Sequence, residues 1–79
     1  MPHVLVKMYS GRTDEQKSKL AEEITKALQT ALGSTLESIS VAVQDVQKDD
    51  WMEQVYEPEI VANADKLFKR PGYGSLARA

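Results

Sequence analysis

Two short strand-like segments flank one long amphipathic helix, and this order constrains the fold more than any other feature of the chain. Residues 2–9 and 38–46 have the apolar alternation of β-strands, and a helical pattern lies between them. A strand, a crossover helix and a second strand form a βαβ unit, in which the strands run parallel and the crossover is right-handed. The sequence therefore predicts an α/β fold of the α+β kind, built on one βαβ unit.

Both ends of the helix are marked in the sequence. Thr13 is a capping residue, and Gln16 three positions later completes a capping box. Gly33 is a typical C-terminal stop. Between these ends, apolar residues recur at spacings of three and four and form a single stripe. The stripe consists of Leu20, Ile24, Ala27, Leu28, Ala31 and Leu32.

A sheet of two strands is too small to be stable alone. The chain has 79 residues and no cysteine, so no disulfide can compensate for its small core. A chain of this size buries only about 60% of its unfolded surface, and association is a common remedy. We therefore expect the sheet to continue in a second copy of the unit.

The last third of the chain is predicted to be helical and then irregular. Trp51 and Val55 belong to a short apolar stripe, and Pro58 suits the first turn of a further helix whose apolar face would extend as far as Phe68. Residues 70–79 are predicted to form a loose tail. Because no linker or repeat interrupts the pattern, residues 1–79 are predicted to form one domain.

Composition and charge disfavour several classes of function. Ten Lys and Arg residues against twelve Asp and Glu residues give a net charge of −2 and a pI of about 5.3, whereas nucleic-acid-binding domains usually have a pI above about 9. No apolar run approaches the roughly 18 residues that a membrane span needs. One histidine and no cysteine leave no ordinary metal motif. We expect a cytoplasmic protein that needs no nucleic acid, membrane, metal or cofactor.

Two residues near the N-terminus have the chemistry of an active site. Loss of Met1 would give Pro2 a free secondary amine, and an α-amino group with a pKa near 8 can act as a general base at neutral pH. Arg12, at the strand-to-helix turn, can bind a carboxylate through two parallel hydrogen bonds. Each residue alone also fits an ordinary role, since Met-Pro is a common start and loop arginines are usually solvated.

Taken together, these residues resemble the tautomerase superfamily, in particular the 4-oxalocrotonate tautomerase-like proteins. The segment GRTDEQK at residues 11–17 is similar to the family's strand-to-helix junction, and Trp51 follows the second strand at the family spacing. The longer C-terminal part resembles the bacterial, phenylpyruvate tautomerase-like branch. This resemblance implies a homodimer rather than a hexamer, with a four-stranded sheet and an extra C-terminal helix.

The resemblance implies a cofactor-independent keto–enol tautomerase. Pro2 would be the general base, Arg12 would bind the substrate carboxylate, and Trp51 would help to form an apolar wall. Hexameric members carry a second arginine at the position of Ser40, where this chain offers a hydroxyl to the substrate. The implied substrate is a small 2-hydroxy-dienoate or enol-pyruvate carboxylic acid, with a monocarboxylate favoured.

Two other functions stay open. An acrylate hydratase or dehalogenase would use protonated Pro2 as an acid. If Met1 is retained, the Pro2 nitrogen is an amide without basicity, and the chain would be a non-catalytic binding module on the same scaffold. Trp51 also fits the role of a core or interface anchor, and His3 that of a structural residue.

Overall fold

The structure is a computed structural model that describes residues 1–78. Contacts within the chain divide it into two compact units, one of residues 1–46 and one that begins at Gln47. That residues 1–79 form one domain stays a prediction.

The first unit is the predicted βαβ unit. Its elements are β1 (His3–Tyr9), α1 (Asp14–Leu32) and β2 (Ser40–Val46). The two strands run parallel, and the register pairs His3 with Ser40 and Tyr9 with Val46. A short 3₁₀ turn, Leu36–Ser38, leads into β2, so this strand begins two residues later than predicted. The βαβ prediction is confirmed.

Both ends of α1 have the contacts that the sequence predicts. The Thr13 hydroxyl oxygen accepts from the Gln16 N–H at 3.1 Å, and the Thr13 N–H donates to Gln16 Oε1 at 2.9 Å. At the other end, Gly33 has a φ of 69°, and its N–H donates to the Gln29 carbonyl at 3.0 Å. The helix therefore begins directly after Thr13, which leaves Arg12 in the preceding turn.

One face of the sheet is turned toward α1. Val4 and Val6 lie half-buried on this face, together with their strand partners Val41 and Val43. Asp45 follows Val43 by two residues and so shares the face. Its carboxylate lies 2.8 Å from Lys17 Nζ of α1, which identifies the covered side.

The opposite side of the sheet is the open face. It carries His3, Leu5, Lys7, Tyr9, Ser40, Ala42 and Gln44, and it ends at Val46, which is buried. Leu5 is still 48% exposed there. An apolar residue this exposed in the middle of a strand leaves the open face suited to packing against another surface.

The second unit contains a wide helix over Met52–Val61. Its π-type geometry includes a hydrogen bond from the Ala62 N–H to the Glu57 carbonyl at 3.1 Å. Pro58 lies inside this helix, so the prediction that it begins a further helix is wrong. Proline lacks an N–H and its ring crowds the carbonyl four residues back, and a wider turn accommodates both effects.

The helical face predicted to continue as far as Phe68 does not form. After the wide helix, the chain makes only a 3₁₀ turn over Ala64–Lys66. Phe68 is fully exposed, although its place in the apolar spacing predicts burial. The extra helix after β2 is therefore the one centred on Val55 and Tyr56, both of which are buried.

Tyr56 holds the C-terminal segment in the second unit. Its side chain is fully buried. The hydroxyl donates to the Tyr73 carbonyl at 3.2 Å and accepts from the Leu76 N–H at 3.0 Å. The sequence predicts a loose tail from residue 70, whereas these contacts fix residues 73–76, and a 3₁₀ turn follows over Ser75–Arg78.

Replacing Thr13 by alanine should destabilise the protein by about 1 kcal/mol, because a backbone N–H at the start of α1 loses its acceptor. The measurement is the free energy of unfolding in urea, followed by circular dichroism. Thr35→Ala is the matched control, since Thr35 also precedes a helical turn but its side chain makes no capping hydrogen bond. We expect the control to change stability by less than about 0.5 kcal/mol. Equal losses in the two variants would contradict the capping role.

Candidate active site

The amino-terminal edge of the sheet brings Pro2 and Ser40 together. The Ser40 N–H donates to the Pro2 carbonyl at 3.2 Å. This hydrogen bond extends the parallel ladder by one residue beyond β1 and fixes the backbone of Pro2. Pro2 is partly buried, whereas Met1 is fully exposed. The Met1–Pro2 bond is therefore accessible to a processing enzyme.

His3 lies next to Pro2 in sequence and contacts the same serine. Its Nδ1 is 2.6 Å from Ser40 Oγ. Because the two residues are partners in the register, both side chains project from the open face. When the serine hydroxyl donates to Nδ1, a neutral imidazole carries its proton on Nε2. His3 then offers an N–H donor beside Pro2.

The sequence predicts that Ser40 contacts the substrate and that His3 is structural, and it does not predict this contact. A signal was present in the pattern. Both residues stand at or near the start of a predicted strand, and parallel strands bring their starts to the same edge. The exact pairing depends on the register, which the alternation of apolar residues does not fix alone.

Arg12 lies at the opposite end of β1 from Pro2. Gly11 has a φ of 124°, a conformation that side chains disfavour, and it redirects the chain from the strand toward the helix. The seven residues of β1, at about 3.3 Å each, separate Pro2 from Arg12 by roughly 20 Å. A small acid cannot bridge this distance, so one chain does not bring the two predicted residues together.

The turn that carries Arg12 is fixed on both sides. Before it, the Ser10 N–H donates to the Val46 carbonyl at 3.1 Å. After it, the Thr13 cap begins α1, and Lys17 pairs with Asp45 of β2 at 2.8 Å. Arg12 itself is exposed. Its backbone is thus held at the carboxyl edge of the sheet while its guanidinium faces solvent.

The groups with shifted pKa values lie on α1. The pKa of Glu23 is lowered, first by a hydrogen bond from Lys19 and then by the positive charge of Lys26. The pKa of Lys26 is raised, first by its hydrogen bond to Glu22 and then by the charge of Glu23. Lys19 pairs with Glu23 at 3.2 Å, four residues apart on the helix. These shifts reflect local pairs on an exposed helix face and do not indicate a catalytic site.

Trp51 belongs to the second unit and is partly buried. Its indole N–H donates to the Tyr73 hydroxyl at 2.8 Å. The Tyr73 ring lies 5.2 Å from the ring of Tyr56, at an angle of 43°. This contact of Tyr73 with Trp51 is not predicted from the sequence, because residue 73 lies in an irregular segment where no periodic pattern relates it to Trp51.

Within residues 1–78, no three His, Asp or Glu side chains are grouped so that they could hold a metal ion. Among the helices that the structure describes, none combines the length and the apolar character needed to cross a bilayer.

Comparison with known proteins identifies the class of enzyme to which this βαβ unit belongs. The profile of a family described as tautomerase enzyme matches residues 2–56. The chain belongs to this tautomerase family. It is an enzyme of the tautomerase class, so the predicted resemblance and enzyme class are confirmed.

Individual relatives agree with this assignment. A probable tautomerase from Xylella fastidiosa is 46% identical over 98% of this chain and 94% of its own length. The tautomerase PptA of Enterobacter sp. strain 638 is 42% identical over 92% of this chain and 97% of its own length. A solved structure from a study of the 4-oxalocrotonate tautomerase isozymes of Methylibium petroleiphilum has a TM-score of 0.61 and 36% identity, over 63% of this chain and 81% of that one.

Proposed function

We propose that this tautomerase interconverts the enol and keto forms of a small carboxylic acid without a cofactor, with the amine of Pro2 as general base. The observation that carries the proposal is the anchored backbone of Pro2, whose carbonyl accepts from the Ser40 N–H while Met1 is fully exposed. Loss of Met1 converts the Pro2 nitrogen from an amide into a secondary amine at a fixed position. An α-amino group has a pKa near 8, which suits proton transfer at neutral pH.

The reaction needs only the movement of one proton at a time. The neutral amine of Pro2 removes the proton from the enol hydroxyl, and the oxygen electrons form the carbonyl. The electrons of the carbon–carbon double bond then take a proton from the protonated amine. The amine is neutral again at the end, and no oxidant or reductant takes part.

Arg12 is proposed to bind the substrate carboxylate through its guanidinium. Since β1 separates Pro2 from Arg12 within one chain, we propose that a second copy supplies the arginine. The outer edges of the two-stranded sheet offer the place for that association, because a second copy can add its strands there. A homodimer, in preference to a hexamer, would extend the sheet to four strands.

The side chains beside Pro2 favour a substrate with a single carboxylate. The hydroxyl of Ser40 is held by His3 at 2.6 Å, and it occupies the position where hexameric relatives carry a second arginine. A hydroxyl can orient a carbonyl but carries no charge that could neutralise a second carboxylate. We propose an enol-pyruvate acid or a 2-hydroxy-dienoate as substrate, with its apolar part against Trp51. The cytoplasmic location stays a prediction.

Pro2→Ala should lower kcat/KM for the ketonisation of phenylenolpyruvate at least about 100-fold, because general-base catalysis is lost. The assay is the ultraviolet change of the enol, with loss of Met1 confirmed by mass in both proteins. An unchanged circular dichroism spectrum and an unchanged oligomer size serve as the structural controls. Full activity in the variant would contradict Pro2 as the base.

The pH profile of the unaltered enzyme separates this mechanism from hydratase or dehalogenase chemistry. A base acts as the neutral amine, so kcat/KM should rise with pH through the pKa of Pro2. A reaction that uses protonated Pro2 as an acid would show the opposite slope. Protein that retains Met1 should be inactive, whereas full activity with Met1 in place would exclude both mechanisms.

Arg12→Ala should raise KM by about 10- to 100-fold, since a charge-assisted hydrogen bond to the carboxylate is lost. Arg70→Ala is the matched control, because Arg70 is also exposed and has no proposed role in binding. The sharper test mixes Pro2→Ala and Arg12→Ala chains after partial unfolding and refolding, and it is assayed at a low substrate concentration where each variant alone is nearly inactive. Random dimers with sites shared between copies should recover about a quarter of the unaltered activity. No recovery would contradict a site completed by the second copy.

Ser40→Arg should shift the preference toward dicarboxylates, because it adds a positive charge beside Pro2. The measurement is the ratio of kcat/KM for 2-hydroxymuconate to that for phenylenolpyruvate, which we expect to rise about tenfold or more. Gln44→Arg adds the same charge on the same face of β2, about 13 Å along the strand, and is the matched control. Equal changes in the two variants would contradict a specific role for position 40.

A further inference from the structure

The indole N–H of Trp51 makes a hydrogen bond within the second unit. An indole has a single polar atom, the Nε1–H, and this atom can only donate. In Trp51 it donates to the Tyr73 hydroxyl at 2.8 Å. The phenol that accepts this hydrogen bond lies 22 residues further along the chain, in the segment that the sequence predicts to be loose.

Tyr73 is itself held by a buried neighbour. Its carbonyl accepts from the Tyr56 hydroxyl at 3.2 Å, and its ring packs against the Tyr56 ring at 5.2 Å. The same hydroxyl accepts from the Leu76 N–H at 3.0 Å, so it holds the segment at two points. Because the Tyr56 side chain is fully buried, it provides a rigid support for the acceptor of Trp51.

Gly74 permits this close approach. Its φ is 69°, a left-handed conformation, and a Cβ placed there would collide with the ring and hydroxyl of Tyr56. Gly33 has the same φ, yet a Cβ there would meet no atom within 4 Å. Of these two glycines, only Gly74 has a backbone that lies too close to Tyr56 to allow a Cβ.

We propose that Tyr73 is a positioning residue for Trp51, and that the segment of residues 73–76 thereby sets the range of substrates that the enzyme accepts. The inference rests on the proposed function, in which Trp51 contacts the apolar part of the substrate. A fixed indole presents a constant aromatic surface to an aromatic enol acid. Loss of this hydrogen bond holds the indole less firmly, and the binding of an aromatic substrate then weakens more than that of a small aliphatic one.

Tyr73→Phe tests the inference because it removes the hydroxyl and keeps the ring. Trp51 is the only tryptophan in the chain, so its fluorescence reports on its surroundings without any enzyme assay. We expect a red-shifted emission and stronger quenching by acrylamide than in the unaltered protein. Phe68→Leu, at an exposed position of the same unit, is the control and should leave both quantities unchanged.

The kinetic readout separates a positioning role from a general loss of structure. In Tyr73→Phe, KM for phenylenolpyruvate should rise about 3- to 10-fold with little change in kcat. KM for 2-hydroxymuconate should change less than twofold. Equal changes in KM for the two acids would overturn the link between Tyr73 and substrate range.

A second pair of variants keeps the inference testable if Tyr73→Phe is only marginally stable. Gly74→Ala should reproduce the fluorescence change because it displaces the segment from Tyr56, whereas Gly33→Ala should not. Unchanged emission in both Tyr73→Phe and Gly74→Ala would overturn the positioning role. The emission of Trp51 can be measured without turnover, so the fluorescence test does not depend on the proposed function. The proposed function has its own test, because it would be overturned if Pro2→Ala did not reduce activity.

Discussion

The parallel pairing of β1 with β2 decides where each functional residue of the first unit lies. In a parallel pair both strands begin at the same edge, so Pro2, His3 and Ser40 meet at the amino edge of the sheet. Both strands also end at one edge, where the turn with Arg12 lies beside the end of β2. An antiparallel pairing would instead have placed the end of β2 beside Pro2. The chemistry proposed for the enzyme therefore follows from the direction of one strand.

Local signals explain why much of the first unit could be predicted from the sequence. The capping box of Thr13 and Gln16 and the stop at Gly33 act within a few residues of the chain, and the structure contains each of them. The direction of the strands follows from the length of the connection, since a 19-residue helix can serve as a parallel crossover. Pro2 and Arg12 were identifiable by residue type and by their resemblance to a family motif. Their separation along β1 was not part of that resemblance and emerges only from the fold.

The errors arise where distant contacts or a special backbone geometry override local preference. Pro58 has the sequence signature of a helix start, yet it lies inside a wide helix, where hydrogen bonds that span five residues tolerate a missing N–H. Residues 73–76 lack any periodic pattern because their order comes from the Tyr56 hydroxyl, 17 to 20 residues earlier in the chain. The contact between His3 and Ser40 spans 37 positions. No propensity scale contains such information.

The exposed position of Met1 has a consequence for the life of the protein in the cell. On the proposed mechanism, a chain that still carries Met1 is latent, because the Pro2 nitrogen is then an amide and cannot act as the base. Maturation consists of one peptide-bond cleavage at a residue that makes no contribution to the packed interior. Folding and activation are thus separate events, and any extension at the amino terminus, natural or engineered, would leave a stable but silent enzyme.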